Sequence, residues 1–186
     1  KAWHPNLAFD SAGRILVAWE RGTFNGANDG TIFFKARTVD GTWSSAVNLS
    51  GDNGARTIID QSTSLLVTPD NRYHIAWISA PGDYIRYQYS DDLGKTWLSN
   101  HPSGSWQITH NPSLGLNGAG DIRLYGHCTP VPPPDGYCGN LFYMTGAGGP
   151  GAWSQPIPYV TGNFDSSVNT RWSQYFYHYP QMLDIA

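Results

Sequence analysis

The stretch Tyr89-Ser90-Asp91-Asp92-Leu93-Gly94-Lys95-Thr96-Trp97 (YSDDLGKTW) decides how the rest of the chain is read. It follows an alternating aromatic segment, "YIRYQYS", and sets Asp, Gly, Thr and Trp at fixed offsets in one turn. An Asp side chain accepts from backbone amides just beyond it, Gly takes a corner with φ > 0, and Trp covers the turn. A turn specified this closely serves architecture, and architecture of this kind repeats.

Working outward, three segments superimpose: "LAFDSAGRILVAW" (Leu7 to Trp19), "LLVTPDNRYHIAW" (Leu65 to Trp77) and "LGLNGAGDIRLYG" (Leu114 to Gly126). Each is a short apolar strand, a turn and a second alternating strand. A third strand follows ("TIFFKART", "YIRYQYS", "NLFYMTG"), then a Gly-containing turn and Trp43, Trp97 or Trp153, spaced 54 and 56 residues apart. A fourth strand comes next: "SAVNLS", "WQIT" or "QPIPYV". Four antiparallel strands every ~50 residues are the signature of propeller blades. The sequence therefore predicts an all-β propeller with blade one at about 4–50, blade two at about 55–109 and blade three at about 110–161. "YPQMLDIA", within about 175–186, matches "HPNLAFD" and "NPSLGLN" and begins a fourth blade. Trp43, Trp97 and Trp153 are expected to be buried. Leu7, Phe9, Val17, Leu65, Val67, Ile75, Leu114, Leu116 and Ile122 are expected between the blades.

Composition agrees with many short strands and tight turns. The 186 residues include 8 Trp, 11 Tyr, 7 Phe, 21 Gly and 13 Pro, and only 13% are charged, about half the usual 25%. A net charge of −3 gives no electrostatic case for nucleic acid or an anionic membrane. No apolar run approaches the length of a membrane-spanning helix. Both cysteines, Cys128 and Cys138, flank the proline-rich loop "TPVPPPDGY". A disulfide there would suit an oxidising, extracellular setting, with two free thiols as the alternative. The chain opens at Lys1 without an initiator Met or signal peptide, as would a mature secreted chain or an excerpt of one.

Ser90, Asp92, Gly94, Thr96 and Trp97 match the Asp box, Ser-x-Asp-x-Gly-x-Thr-Trp, without a mismatch. "VDGTW" in blade one is a shortened copy, and "GAGGPGAW" in blade three keeps the Gly and the Trp. The chain thus resembles the Asp-box (bacterial neuraminidase repeat, sialidase-like) β-propellers. That resemblance implies closure at six or seven blades, so three would leave two open edges. Such a piece is expected to be a fragment, or to be completed by neighbouring copies, and not to stand as an autonomous monomer. The resemblance also places the Asp-box turns on the face opposite the ligand, which makes Asp92 structural.

The opposite face, or mouth, collects His4, His110, His127 and His178 with Arg21, Arg56 and Arg171, and crowds Trp172, Tyr175, Tyr177 and Tyr179 into the last loop. Rings stack on pyranose faces and guanidinium pairs a carboxylate bidentately, so the expected partner is a polysaccharide or glycan, acidic by preference. "HNPSLGLNGAGDIRLYGH" puts His110 at the entry of one strand and His127 at the exit of the next. Similar paired histidines, followed by Tyr and Arg, occur in Asp-box propellers that act as polysaccharide lyases. The resemblance implies His110 and His127 as base or orienter, Tyr175 or Tyr177 as acid and Arg171 as carboxylate neutraliser. From their place in the mouth loops, Arg21, Arg56, Trp172 and His178 are expected to bind substrate. The expected function is thus a secreted lyase or hydrolase acting on an acidic polysaccharide. The competing reading is a non-catalytic glycan binder or structural unit of a surface assembly, in which the histidines merely end strands.

A sialidase is less well supported, because no Arg-Ile-Pro occurs and Glu20 is the sole glutamate. No His-Glu-x-x-His, Cys-x-x-Cys, phosphate loop or Gly-x-Ser-x-Gly is present, so no cofactor or metal is expected. "SGDNGAR" and "NGANDG" carry oxygen ligands that suit Ca²⁺, although turn composition also accounts for them.

Overall fold

Period-two alternation makes each repeat a run of strands, and the strands pair in chain order. The structure is a computed structural model that describes residues 2–22, 30–50, 60–79, 84–102, 107–129, 141–155 and 157–160. The first sheet holds β1 (Ala2–Phe9), β2 (Ile15–Arg21), β3 (Thr31–Arg37) and β4 (Val47–Asn48). The second holds β5 (Asp60–Val67), β6 (Tyr73–Ser79), β7 (Tyr84–Ser90) and β8 (Leu98–Ser99). The third holds β9 (Gln107–Leu116), β10 (Ile122–Thr129), β11 (Leu141–Gly146) and β12 (Ile157–Val160). All three are four-stranded, antiparallel and in sequence order. No helix occurs among the described residues.

The turns explain the repeat. Gly13, Asn71 and Gly120 occupy one repeat position between first and second strands, with φ of 79°, 62° and 86°. Only Gly, and Asn at modest cost, adopts that conformation readily. Between β7 and β8, the Asp92 carboxylate accepts the amides of Lys95 and Thr96 at 3.0 and 2.8 Å and the Thr96 hydroxyl at 2.6 Å. Trp97 Nε1 donates to the Gly94 carbonyl at 3.2 Å. The Asp, Gly, Thr and Trp are thus tied into one turn.

The sheets stack in chain order, β1 against β5 and β5 against β9. Leu16, Ala18, Ile32, Phe34 and Ala36 cluster with Leu65, Tyr73, Ile75 and Trp77 across the first boundary. Ala76, Tyr87 and Tyr89 cluster with Leu114, Ile122, Leu124 and Met144 across the second. Polar stitches repeat alongside. The Leu65 amide donates to Asn6 Oδ1 at 3.1 Å, and the equivalent Leu114 amide donates to Ser64 Oγ at 2.9 Å.

Three expectations need correction. Trp43 is 44% exposed, while Trp97 and Trp153 are half-buried. Each of the latter two lies edge-on against the preceding blade, Trp97 on Phe34 at 4.9 Å and Trp153 on Tyr87 at 4.8 Å. Trp43 has no preceding blade among the described residues to pack on. For the same reason Leu7 (53%) and Phe9 (65%) are exposed, although their equivalents Leu65 and Val67 pack against blade one. Finally, "WQIT" is not the fourth strand of blade two. Leu98–Ser99 pairs with Gln88 and Tyr89, whereas Gln107 and Ile108 pair with Thr129 and Cys128 and so open blade three.

Candidate functional site

Up-and-down pairing sorts the connections between two ends. The β1–β2, β3–β4 and equivalent turns share one end of the sheets, and the β2–β3 and β4–β5 connections share the other. The second end is the mouth. Residues early in each first strand and late in each second strand border it.

The strand register brings specific residues to that border. His110 on β9 stands directly opposite His127 on β10. The same repeat position is filled by Gln61 opposite Ile78 in blade two and by Trp3 opposite Glu20 in blade one. Just past each of these pairs the register shifts, between Trp3 and Asn6, between Gln61 and Ser64, and between Tyr125 and His127. The first strand of each of the three described sheets thus carries a bulge at one level, a feature that bends the backbone and is over-represented near sites.

Blade one shows what such a bulge builds. His4 lies within it with φ of 44°, a conformation rare for a non-glycine residue. Its Nδ1 is 2.9 Å from Glu20 Oε2. The imidazole is half exposed (50%), and the carboxylate is largely covered (12%). The Thr63 hydroxyl of blade two donates to the His4 carbonyl at 3.4 Å, which ties the bulge to its neighbour. Arg21, the next residue along β2, lies on the other face of the sheet, its guanidinium carbon 5.6 Å from the Phe33 ring centroid.

The remaining predicted residues divide cleanly. Arg56, Cys138, Arg171, Trp172, Tyr175, Tyr177 and His178 lie outside the described residues, as do most of the two Ca²⁺-suited segments. Cys128 is placed on β10 opposite Ile108. Two histidines are structural. His101 Nδ1 accepts the Tyr87 amide at 3.0 Å, and burial lowers its pKa. His74 is fully buried between the Tyr87 hydroxyl (2.7 Å) and Thr68 Oγ1 (3.1 Å), and burial lowers its pKa to about 3. At the far end, hydrogen bonds from Thr96 hold the Asp92 carboxyl down to about 2. Those donors are all in its own turn, so Asp92 acts in architecture.

The pairing of His4 with Glu20 was not evident from the sequence. The sequence places His4 among the mouth histidines and shows Glu20 as the sole glutamate. The signal joining them is a strand register across sixteen residues, interrupted by a bulge.

Among the described residues the fold is all-β, in antiparallel four-stranded blades, with His4, Glu20, His110 and His127 at one end of the first and second strands. No family model and no curated protein sequence matches it. Solved structures of the same propeller fold do. An alpha-L-arabinanase from Penicillium chrysogenum is 19% identical with a TM-score of 0.62, over 87% of this chain and 50% of that one. A polysaccharide lyase is 16% identical with a TM-score of 0.58, over 85% and 40%. A thermostable family-43 glycoside hydrolase is 13% identical with a TM-score of 0.55, over 87% and 60%. The chain therefore spans between two fifths and three fifths of the length of these three proteins, and the likeness is one of fold.

Proposed function

We propose that the protein is a secreted, carbohydrate-directed propeller whose mouth binds an acidic polysaccharide and cleaves it by elimination next to a uronate. The observation that carries this reading is the direct opposition of His110 and His127 at the mouth end of β9 and β10. Two imidazoles at one register position supply a base and an orienting partner near neutral pH. Arg171 would pair the uronate carboxylate, and Tyr175 or Tyr177 would give the leaving oxygen its proton. The solved structures of like fold include proteins described as a polysaccharide lyase, an arabinanase and a galactanase, which supports a sugar polymer as the partner. A disulfide between Cys128 and Cys138 would stiffen the loop beside His127. Further Asp-box blades, to a total of six or seven, would cover the free face of blade one.

The test is turnover of polygalacturonate, alginate and a glucuronate polymer by the full chain, followed by ultraviolet absorbance of the unsaturated uronate. The expected result is an absorbing product that His110→Ala or His127→Ala reduces by roughly 100-fold or more. New reducing ends without absorbance would mean hydrolysis instead. Binding without turnover would make the propeller a non-catalytic glycan binder.

A further inference from the structure

Among the described residues, Glu20 is a largely covered carboxylate with a single partner. Its side chain is 12% exposed, and its one hydrogen bond there comes from His4, whose Nδ1 is 2.9 Å from Oε2. Asp10, which is fully covered, shows what such a group ordinarily collects. It accepts the Tyr73 hydroxyl, the amides of Ala12 and Arg14 and the Arg14 guanidinium. A carboxylate taken this far out of water is costly unless donors surround it. Glu20 has capacity to accept more, and its remaining exposure is the way in.

The contact fixes the chemistry of its partner. An ionised carboxylate only accepts, so the Nδ1 of His4 carries the proton. In the neutral ring Nε2 is then a second acceptor, on a side chain that is half exposed. Two neighbouring acceptors call for a ligand with two adjacent donors, and the vicinal hydroxyls of a sugar are such a pair. A bound metal ion would need a third ligand, and no group of three His, Cys, Asp or Glu that could hold one occurs among the described residues. We propose that His4 and Glu20 form a hydroxyl-binding subsite at the mouth end of the boundary between blades one and two, where they take the vicinal diol of one sugar residue. This rests on the mouth as the sugar-binding end and assigns a part of the sugar to blade one.

The fold prepares that place. Glu20 shares its strand face with Leu16 and Ala18, which pack towards blade two, and lies one residue from the mouth end of β2. His4 has a φ of 44°, and a non-glycine residue persists there only where its surroundings over-determine it, as they do at functional sites. Here the bulge and the Thr63 hydroxyl of blade two, 3.4 Å from the His4 carbonyl, supply that constraint. A pair held in one arrangement before the sugar arrives loses less entropy on binding.

The test is a cycle between probe and protein. One probe is trigalacturonate. The other is its 2,3-di-O-methyl derivative, which keeps every carboxylate and lacks the diol donors. Calorimetry is run in a His110→Ala background so that neither probe is consumed. Trigalacturonate is expected to bind about 10-fold or more tighter than the methylated probe. His4→Asn, which keeps a residue tolerant of positive φ, or Glu20→Ala should remove most of that preference, with thermal unfolding close to the background protein's. Glu20→Gln takes the place of Glu20→Ala if that variant misfolds. A preference that survives the substitutions, equal losses on both probes, or no preference at the outset would overturn the subsite and leave the elimination reading standing. Binding of neither probe would overturn it too. The elimination reading would fall with it only if the parent chain also gave no absorbing product from any uronate polymer.

Discussion

Gly94 shows how closely single positions are specified. Its φ is 82°, and a Cβ built there would lie 2.4 Å from Cε1 of Phe34 in the neighbouring blade. Gly13 has a similar φ of 79° with no atom within 4 Å of its Cβ position. Gly13→Ala is expected to cost about 1 kcal/mol from backbone conformation alone. Gly94→Ala should cost about 3 kcal/mol, because overpacking against an aromatic ring is added. Paired urea titrations measure the difference. His74 carries a pH signature. Its folded pKa of about 3 lies below the ordinary 6.5, so the unfolded chain takes up the proton first. Stability is predicted to fall as pH drops from 6.5 towards 3, and less steeply in His74→Gln. Denaturant midpoints at stepped pH provide the check. The Ser90–Trp97 turn could be read in sequence because its donors and acceptors lie within eight residues. His74 could not, since Thr68 reaches it across the β5–β6 turn and Tyr87 meets it only once β6 and β7 are paired.

At the level of strands and turns, the contacts between blades matter most. Asp10 in the first turn of blade one accepts the Tyr73 hydroxyl of blade two at 2.6 Å, and its side chain is fully covered. Burial raises its pKa, but hydrogen bonds from Tyr73 and Arg14 outweigh that and hold it below the ordinary value. Arg14 completes the contact at 2.5 Å. Asp10→Ala leaves a buried hydroxyl without its acceptor and should cost about 2 to 3 kcal/mol. Thermal unfolding of the variant beside Tyr73→Phe measures it, and the double mutant should lose less than the sum. The four-strand period was legible because alternation and turn residues are local signals. The limits of the fourth strands were not. Leu98–Ser99 is only two residues long, and "WQIT" has strand composition whichever sheet it joins. The corrected burial of Trp43, Leu7 and Phe9 has one cause: their pattern marks a packed face, but pattern alone does not supply the blade that packs there.

Across the whole molecule, an uncovered apolar face and a polar mouth make opposite demands. Leu7, Phe9 and Trp43 leave blade one with large side chains in water at positions that blades two and three cover. Burial of such residues is favourable at about 25 cal/mol per Å² of apolar surface. Residues 1–186 on their own are therefore predicted to self-associate, and Leu7→Asp with Phe9→Asp to shift sedimentation towards monomer. A sharp parental monomer with cooperative unfolding would show that the face needs no cover.

The proposed function puts sugar recognition at the mouth and not at the Ser90–Trp97 end. Chemical-shift mapping of the full chain with an oligogalacturonate tests it most directly. Perturbed signals are expected at His4, Glu20, His110 and His127, with Ser90 to Trp97 unmoved. Shifts confined to the Ser90–Trp97 turn, or none at the mouth, would contradict it.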